Sequence, residues 1–286
     1  MKFSGCLTMH RRITARKKIA PVLLAGIALL FPGQSLRSDE AFWSKAITGC
    51  GTVISRSGQY FLANDLTQCP GDGISIAASS VTIELQGHII QVTGANSASA
   101  INAPGGDKGL TNLEIAGPGT LTGGLTGITF GNVHNSRVHD VTMVQNSFGM
   151  AVNSGDFTSD ATATATVSAN NEIFDNVMTA NNGHGITMNG GSKNLFLHNN
   201  VSGNNNGAVG LLLYAGQDNV AQDNTADANS GWGIYIAIAA QSSGNKVEHN
   251  TAIGNGNADM NDQNGDCTHN TWADNSFVSN SSGCIQ

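Results

Sequence analysis

The chain has 286 residues, a formal net charge of −7, 36 glycines and only five prolines. Hydrophobic residues make up 40%, enough for a sizeable core, which excludes a disordered chain. The acidic balance argues against nucleic acid or an anionic membrane as partner.

The N-terminus carries its own pattern. Six of the 13 basic residues fall between Lys2 and Lys18, and an apolar run from Ile19 to Phe31 follows. That is the layout of a secretory signal peptide, with Gly33 and Ser35 as the small residues before a cut. The run is short for a transmembrane span. The reading is a signal peptide over residues 1–35 and a secreted or periplasmic mature chain. In that chain seven basic residues face 20 acidic ones, a net charge near −13. A polyanionic polysaccharide would need a cation or a local basic patch to bind it. Residues 36–49 read as a capping segment, partly helical around Glu40 to Ala46, ahead of one domain over 50–286.

Four cysteines remain, Cys50, Cys69, Cys267 and Cys284, two near each end. Three pairings are open. The local one, Cys50 with Cys69 and Cys267 with Cys284, is economical and pins both ends of the domain in an oxidising compartment.

From Gly73 onward the sequence keeps restarting. A Gly–apolar step recurs at Gly127-Ile128, Gly149-Met150, Gly185-Ile186, Gly210-Leu211 and Gly233-Ile234, at intervals of 22, 36, 25 and 23 residues. Weaker restarts stand at Gly73-Ile74 and Ala100-Ile101, and Ala258 continues the series. Such periods signal a solenoid. Asn176, Asn200, Asn224, Asn250 and Asn275 run in phase, and five residues after each come Asn181, Asn205, Asn229, Asn255 and Asn280. Stacked coils place one such position over the next about 4.8 Å away. Asn tolerates a turn there, and stacked amides bond to one another. The candidate strands are short: Ser80 to Leu85, Gly127 to Phe130, Lys193 to Leu197, Leu211 to Tyr214 and Gly233 to Ile236. Phe130, Phe174, Phe196, Trp272 and Phe277 are expected to fill the core or pack on its ends. The coil from Gly149 to Gly185 is oversized, with its surplus near Asn153 to Ser168, where an insertion projects as a loop.

The whole is an all-β, single-stranded right-handed parallel β-helix of about nine coils. From Gly73 to Asn280 it resembles the repeats of the pectate-lyase-like superfamily, and Cys50 to Cys69 resembles the opening of exported β-helix proteins. The resemblance implies a polysaccharide hydrolase or lyase if the chain is an enzyme at all.

Each enzyme class makes demands. A polygalacturonase-like site uses aspartates as acid and base. Gly183-His184-Gly185 matches one of its motifs, with Asp156, Asp160 and Asp175 upstream. No adjacent Asp pair, no Asn-Thr-Asp and no downstream Arg-x-Lys accompanies them. His184, Asp175, Asp156 and Asp160 are the catalytic candidates, against a reading of His184 as a surface residue at a strand start. A lyase-like site needs an acidic Ca²⁺ cluster and a base. Arg137, Lys193 and Lys246 are the available bases, without recognisable context. No Asp-Pro-His supports an epimerase.

The positions before the Asn series are Asp175, Asn199, Asp223, His249 and Asp274. Such a stripe could hold a divalent cation such as Ca²⁺, with Asp223 and Asp274 as ligands, or it is a solvated turn edge. His139, His198 and His269 read as surface or cross-coil residues. Tyr214, Tyr235 and Trp232 form a candidate platform for a sugar ring, or an aromatic stack between coils. The functional expectation is an exported monomer that binds or processes a polysaccharide or cell-envelope glycan on its flank. The alternative is a non-catalytic structural or adhesive surface protein. Neither nucleic acid nor a cytoplasmic partner is expected.

Overall fold

Short segments that alternate inward apolar and outward polar side chains stack here as the turns of one solenoid. The computed structural model describes residues 44–93, 98–153, 168–237, 242–264, 268–283 and 285. All pairing between strands is parallel, and the chain is a single-stranded right-handed β-helix. One side is a nine-stranded sheet: Thr52–Ile54, Ile74–Ile76, Ser99–Pro104, Thr126–Gly131, Phe148–Asn153, Ile186–Asn189, Leu211–Tyr214, Trp232–Ala237 and Ala258–Asp262. Nine strands enclose eight full turns, so the expected coil count of about nine is high by one. The other sides belong to a branched 13-stranded sheet.

In-register pairing stacks like on like. Ile101, Ile128, Met150, Ile186, Leu211, Ile234 and Met260 form one inward column. All seven are fully buried. The residue before each is a close-approach position. A Cβ on Gly149 would stand 2.5 Å from the carbonyl oxygen of Gly185, and one on Gly185 would stand 2.6 Å from that of Gly210. The Gly–apolar step therefore marks where one coil's backbone lies against the next. Its last member is Asp259, not Ala258, because Trp232 registers with Ala258 and Ile234 with Met260.

Coils turn at three corners, and from Gln145 onward each corner pairs a left-handed residue with an Asn of a ladder. Lys193, His198 and Ala180 have φ of 56°, 54° and 53° and precede Asn194, Asn199 and Asn181. The corners stack into three ladders. Asn171, Asn194, Asn219, Asn245 and Asn270 form the first. Asn176, Asn199, Asn224, Asn250 and Asn275 form the second. Asn146, Asn181, Asn204, Asn229 and Asn255 form the third. Each Nδ2 donates to the Oδ1 one coil on, and that oxygen also accepts a backbone N–H. For Asn199 and Asn224 the two distances are 3.0 and 2.9 Å. A buried amide that bonds on both sides avoids the cost of an unpaired polar group.

This register corrects three positions. Asn199 and Asn204 are the ladder members, whereas Asn200 and Asn205 are exposed. Asn280 is also exposed, and Asp259 ends the third ladder in its place by accepting Asn255 Nδ2 at 2.9 Å. The first ladder was not anticipated.

Phe130 and Phe196 are fully buried, and Trp272 and Phe277 pack on the core. Phe174 differs: it follows inward Ile173, faces outward and stacks on His139 with ring centroids 4.8 Å apart. Lys45–Ile47 is a strand paired with Gly58–Leu62, not the end of a helix. The Cys50–Cys69 disulfide is formed, with Cα atoms 5.3 Å apart. Cys267 and Cys284, the signal peptide, the surplus of the oversized coil and its Asp156 and Asp160 lie outside the described residues.

Candidate functional site

Two surfaces collect the residues singled out above. The first is the outward face of the nine-stranded sheet. Between the inward positions, Thr187, Leu212, Tyr235 and Asn261 stand in register on successive strands. Trp232 begins the strand that carries Tyr235, and their rings stack with centroids 4.8 Å apart and planes 22° apart. Val209, Tyr235 and Ala237 form an apolar cluster separate from the core, with Leu212 and Trp232 packed on it. Tyr214 is 42% exposed on the same face. It registers with Ala237, however, so the two tyrosines occupy different columns and do not stack. Thr187 is 8% exposed, and its hydroxyl is buried without a hydrogen-bond partner.

Trp232 also walls a depression of about 550 Å³ lined by Asn257, Asn261, Asp262, Gln263, Ser281, Ser282 and Gly283. Amides and hydroxyls share it with the Trp232 indole. The Asp262 carboxylate is already engaged: Oδ2 accepts from Asn270 Nδ2 at 3.1 Å and Trp272 Nε1 at 3.0 Å, and Oδ1 accepts from Asn264 at 3.0 Å. The site is thus an aromatic wall beside neutral hydrogen-bonding groups, the usual make-up of a small polar ligand's pocket.

His184 lies two residues before Ile186–Asn189, another strand of this sheet. Its Nδ1 accepts the Val209 N–H at 2.8 Å, so the neutral ring carries its proton on Nε2. Burial pulls its pKa below the ordinary histidine value. Its ring tilts against Phe148, with centroids 5.7 Å apart. Among the described residues no hydrogen bond or ion pair joins it to a carboxylate. Asp175 sits elsewhere on the coil, at the corner between Glu172–Phe174 and Val177–Thr179.

That corner is the second surface. Its left-handed positions are Asp140, Asp175, His198, Asp223, His249 and Asp274, with φ between 52° and 58°. The sequence series placed Asn199 here; the same one-residue shift that moves the ladder makes His198 the member. From Asp175 onward, carboxylates and imidazoles therefore alternate. His198 Nδ1 lies 3.7 Å from Asp175 Oδ1 and its Nε2 lies 3.5 Å from Asp223 Oδ2. His249 Nε2 lies 3.6 Å from Asp274 Oδ2. Among the described residues no three His, Cys, Asp or Glu side chains converge as a metal cage. The clue available in the sequence was the left-handed residue that must precede each ladder Asn.

Residues 43–283 match the family described as "Periplasmic copper-binding protein (NosD)". No curated protein matches the chain in sequence. Among solved structures the chain is similar to the A-module of the mannuronan C-5 epimerase AlgE4 of Azotobacter vinelandii, at 15% identity and a TM-score of 0.43. That likeness covers 82% of this chain and 79% of the other. It is similar to the GH136 lacto-N-biosidase of Eubacterium ramulus, at 11% identity and a TM-score of 0.49, over 80% of this chain and 61% of that one. It is also similar to the Dettilon tailspike protein, at 14% identity and a TM-score of 0.39, over 83% and 62%. The chain spans about three fifths of the latter two proteins.

Proposed function

The chain belongs to the NosD family, and on that premise we propose that it is an extracytoplasmic binding protein which holds a neutral glycan on the outward face of its nine-stranded sheet, without cleaving it. The depression walled by Trp232 carries this reading. Its aromatic wall suits the apolar face of a sugar ring, and Asn257, Asn261 and Ser281 suit its hydroxyls. The chain's acidity favours a neutral glycan over an anionic one. The commitment of His184 Nδ1 to a backbone amide supports binding over acid–base work by that residue.

The family's description names copper. Copper(I) takes thioether and thiolate donors. Met143, Met150, Met178, Met188 and Met260 are fully buried and Cys50 is joined to Cys69, so the described residues do not fit that ion. Imidazole and carboxylate donors suit a divalent ion instead, and the second corner offers both.

Affinity electrophoresis against neutral and anionic polysaccharides tests the glycan reading, with assays for new reducing ends and unsaturated products alongside. Neutral glycans should bind, products should stay at background, and Trp232→Ala should weaken binding about tenfold, a loss of roughly 1.4 kcal/mol. Preference for anionic glycans, product release, or an unchanged affinity in Trp232→Ala would overturn it.

A further inference from the structure

We infer that His184 is an acid-sensitive clasp between two coils, closed by the neutral imidazole and opened by its protonation, so that acid loosens the face that carries Trp232. The clasp itself follows from geometry, and its effect on a ligand rests on the glycan reading. The Gly183-His184-Gly185 motif puts a close approach on each side of the ring. A Cβ on Gly183 would stand 2.5 Å from Ser147 O on one coil, and one on Gly185 would stand 2.6 Å from Gly210 O on another. Between them, His184 Nδ1 accepts the N–H of Val209, which is 2% exposed, at 2.8 Å. Elsewhere that bond is made by backbone alone. Phe148 lies two residues before Met150, as Val209 lies two before Leu211, and the Phe148 N–H donates to Leu125 O at 2.8 Å. At Val209 a titratable side chain has taken the place of that carbonyl.

A buried N–H needs an acceptor. Protonated on Nδ1, the ring would turn a donor toward a donor, and the Val209 N–H would lose its partner. Nothing described offsets the new charge. Residues 141–153, 176–192 and 199–217, which form the coil segments around His184, contain no Asp, Glu, Lys or Arg. Tyr214 is the other titratable side chain on them and Tyr235 is the one on the following strand, and both phenols stay neutral in acid. Asp156 and Asp160 lie outside the described residues. Burial already pulls the His184 pKa below the ordinary 6.5. The clasp is therefore fully closed above 6.5, and it is lost as pH falls through the lower folded value.

Val209 is also where the clasp meets the outward face. Its two neighbours hold the segment that carries Trp232: the Gly231 N–H donates to Ala208 O at 2.8 Å, and the Gly210 N–H donates to Trp232 O at 2.9 Å. Val209 itself packs with Tyr235 and Ala237, and Leu212 and Trp232 lie on that cluster. A shift of residues 208–210 thus reaches the aromatic wall through two backbone bonds and one apolar contact. His184 is a positioning residue in this scheme, because it acts on the wall through Val209.

Solution NMR of the full chain, titrated from pH 7.5 to pH 4.5 without any glycan, reads the clasp directly. The His184 ring should titrate below 6.5, and the Val209 amide and Trp232 indole N–H signals should move with the same midpoint. His184→Asn offers an uncharged acceptor near the position of Nδ1, and both signals should then stay fixed. His184→Leu offers none, and the Val209 signal should be displaced at every pH. Affinity for hydroxyethyl cellulose, a neutral polysaccharide, gives the functional reading. In the parent it should fall by about tenfold per pH unit below the His184 midpoint, while His184→Asn keeps a flat profile. A ring midpoint at or above 6.5, a Val209 amide or Trp232 indole that does not follow the ring, or binding as flat in the parent as in His184→Asn would each overturn the inference. Absence of binding at every pH counts against the glycan reading alone, because the spectral titration uses no ligand.

Discussion

Asn199 and Asn200 are neighbours of the same type with opposite surroundings. Asn199 is buried, donates to Asn224 Oδ1 and Ile173 O, and its own Oδ1 accepts from Asn176. Asn200 is exposed. Asn199→Ala takes the acceptor from the buried Asn176 N–H and the side-chain donor from Ile173 O and Asn224 Oδ1, which costs about 1–3 kcal/mol. Asn200→Ala should stay within about 0.5 kcal/mol of the parent. Urea midpoints of the two variants check this. Equal effects would mean that the ladder runs through Asn200 after all. The ambiguity has a physical source: the doublets Asn199-Asn200 and Asn204-Asn205 keep a five-residue spacing in either register. Repetition was therefore legible but its phase was not, and the phase decides which side chains reach solvent. The same step hid His198 from the acidic stripe and left Asp223 and Asp274 looking like an all-carboxylate site. The Trp232–Tyr235 stack was not readable from alternation along the strand, which puts residues three apart on opposite faces. Tyr214 was misplaced because a 21-residue interval is not the local coil length of 23.

At the scale of an element, a ladder of amides needs an ending. Every Asn Nδ2 hands a hydrogen to the next coil, and at the last coil something must accept it. Asp259, 1% exposed, does so for the third ladder. Its carboxylate also accepts the N–H groups of Asn255, Val278 and Ser279 and the Ser279 hydroxyl. Burial alone would raise its pKa, but the bonds from Asn255, Ser279 and Val278 outweigh burial and hold it below the ordinary 3.8. Asp259→Asn would turn one acceptor oxygen into a donor facing donors. The expected loss at pH 7 is about 1.5–3 kcal/mol, the range for hydrogen bonds to a charged group. The folded-state pKa is the depressed one, so this stabilisation is complete above 3.8 and is lost as pH falls through the lower folded value. Urea unfolding at pH 7 and pH 3 should show the parent losing more stability on acidification than the variant does. A parallel loss in both would place the acid sensitivity elsewhere. Asp262 plays the corresponding part for the first ladder, where Asn270 Nδ2 reaches its Oδ2. The Gly–apolar repeat identified the coils, but it could not show that its last position carries an acid, because the acid belongs to the ladder beside it.

At the scale of the molecule, coils touch only their neighbours, so stability is a sum of local interfaces rather than one cooperative core. The ends are then the weak points, and an exposed parallel edge invites pairing with another chain. The N-terminal end carries the Cys50–Cys69 bridge, with a sequence separation of 19. Cys69 is fully buried beside the first core residues, and Lys45–Ile47 lies over the strand Gly58–Leu62 that the bridged loop contains. In the chain-entropy picture closing such a loop stabilises the folded state by about 3 kcal/mol. Because that loop belongs to the opening coils alone, reduction should raise hydrogen exchange across residues 45–76, while the amides of Ile186–Asn189 and Leu211–Tyr214 keep their protection. Mass-resolved exchange with and without a reductant measures both regions in one experiment. Uniform loss of protection would show that the solenoid unfolds as a single unit. An unchanged N-terminal region would show that the apolar contacts of Ile47, Ile54 and Leu62 hold that end without the bridge.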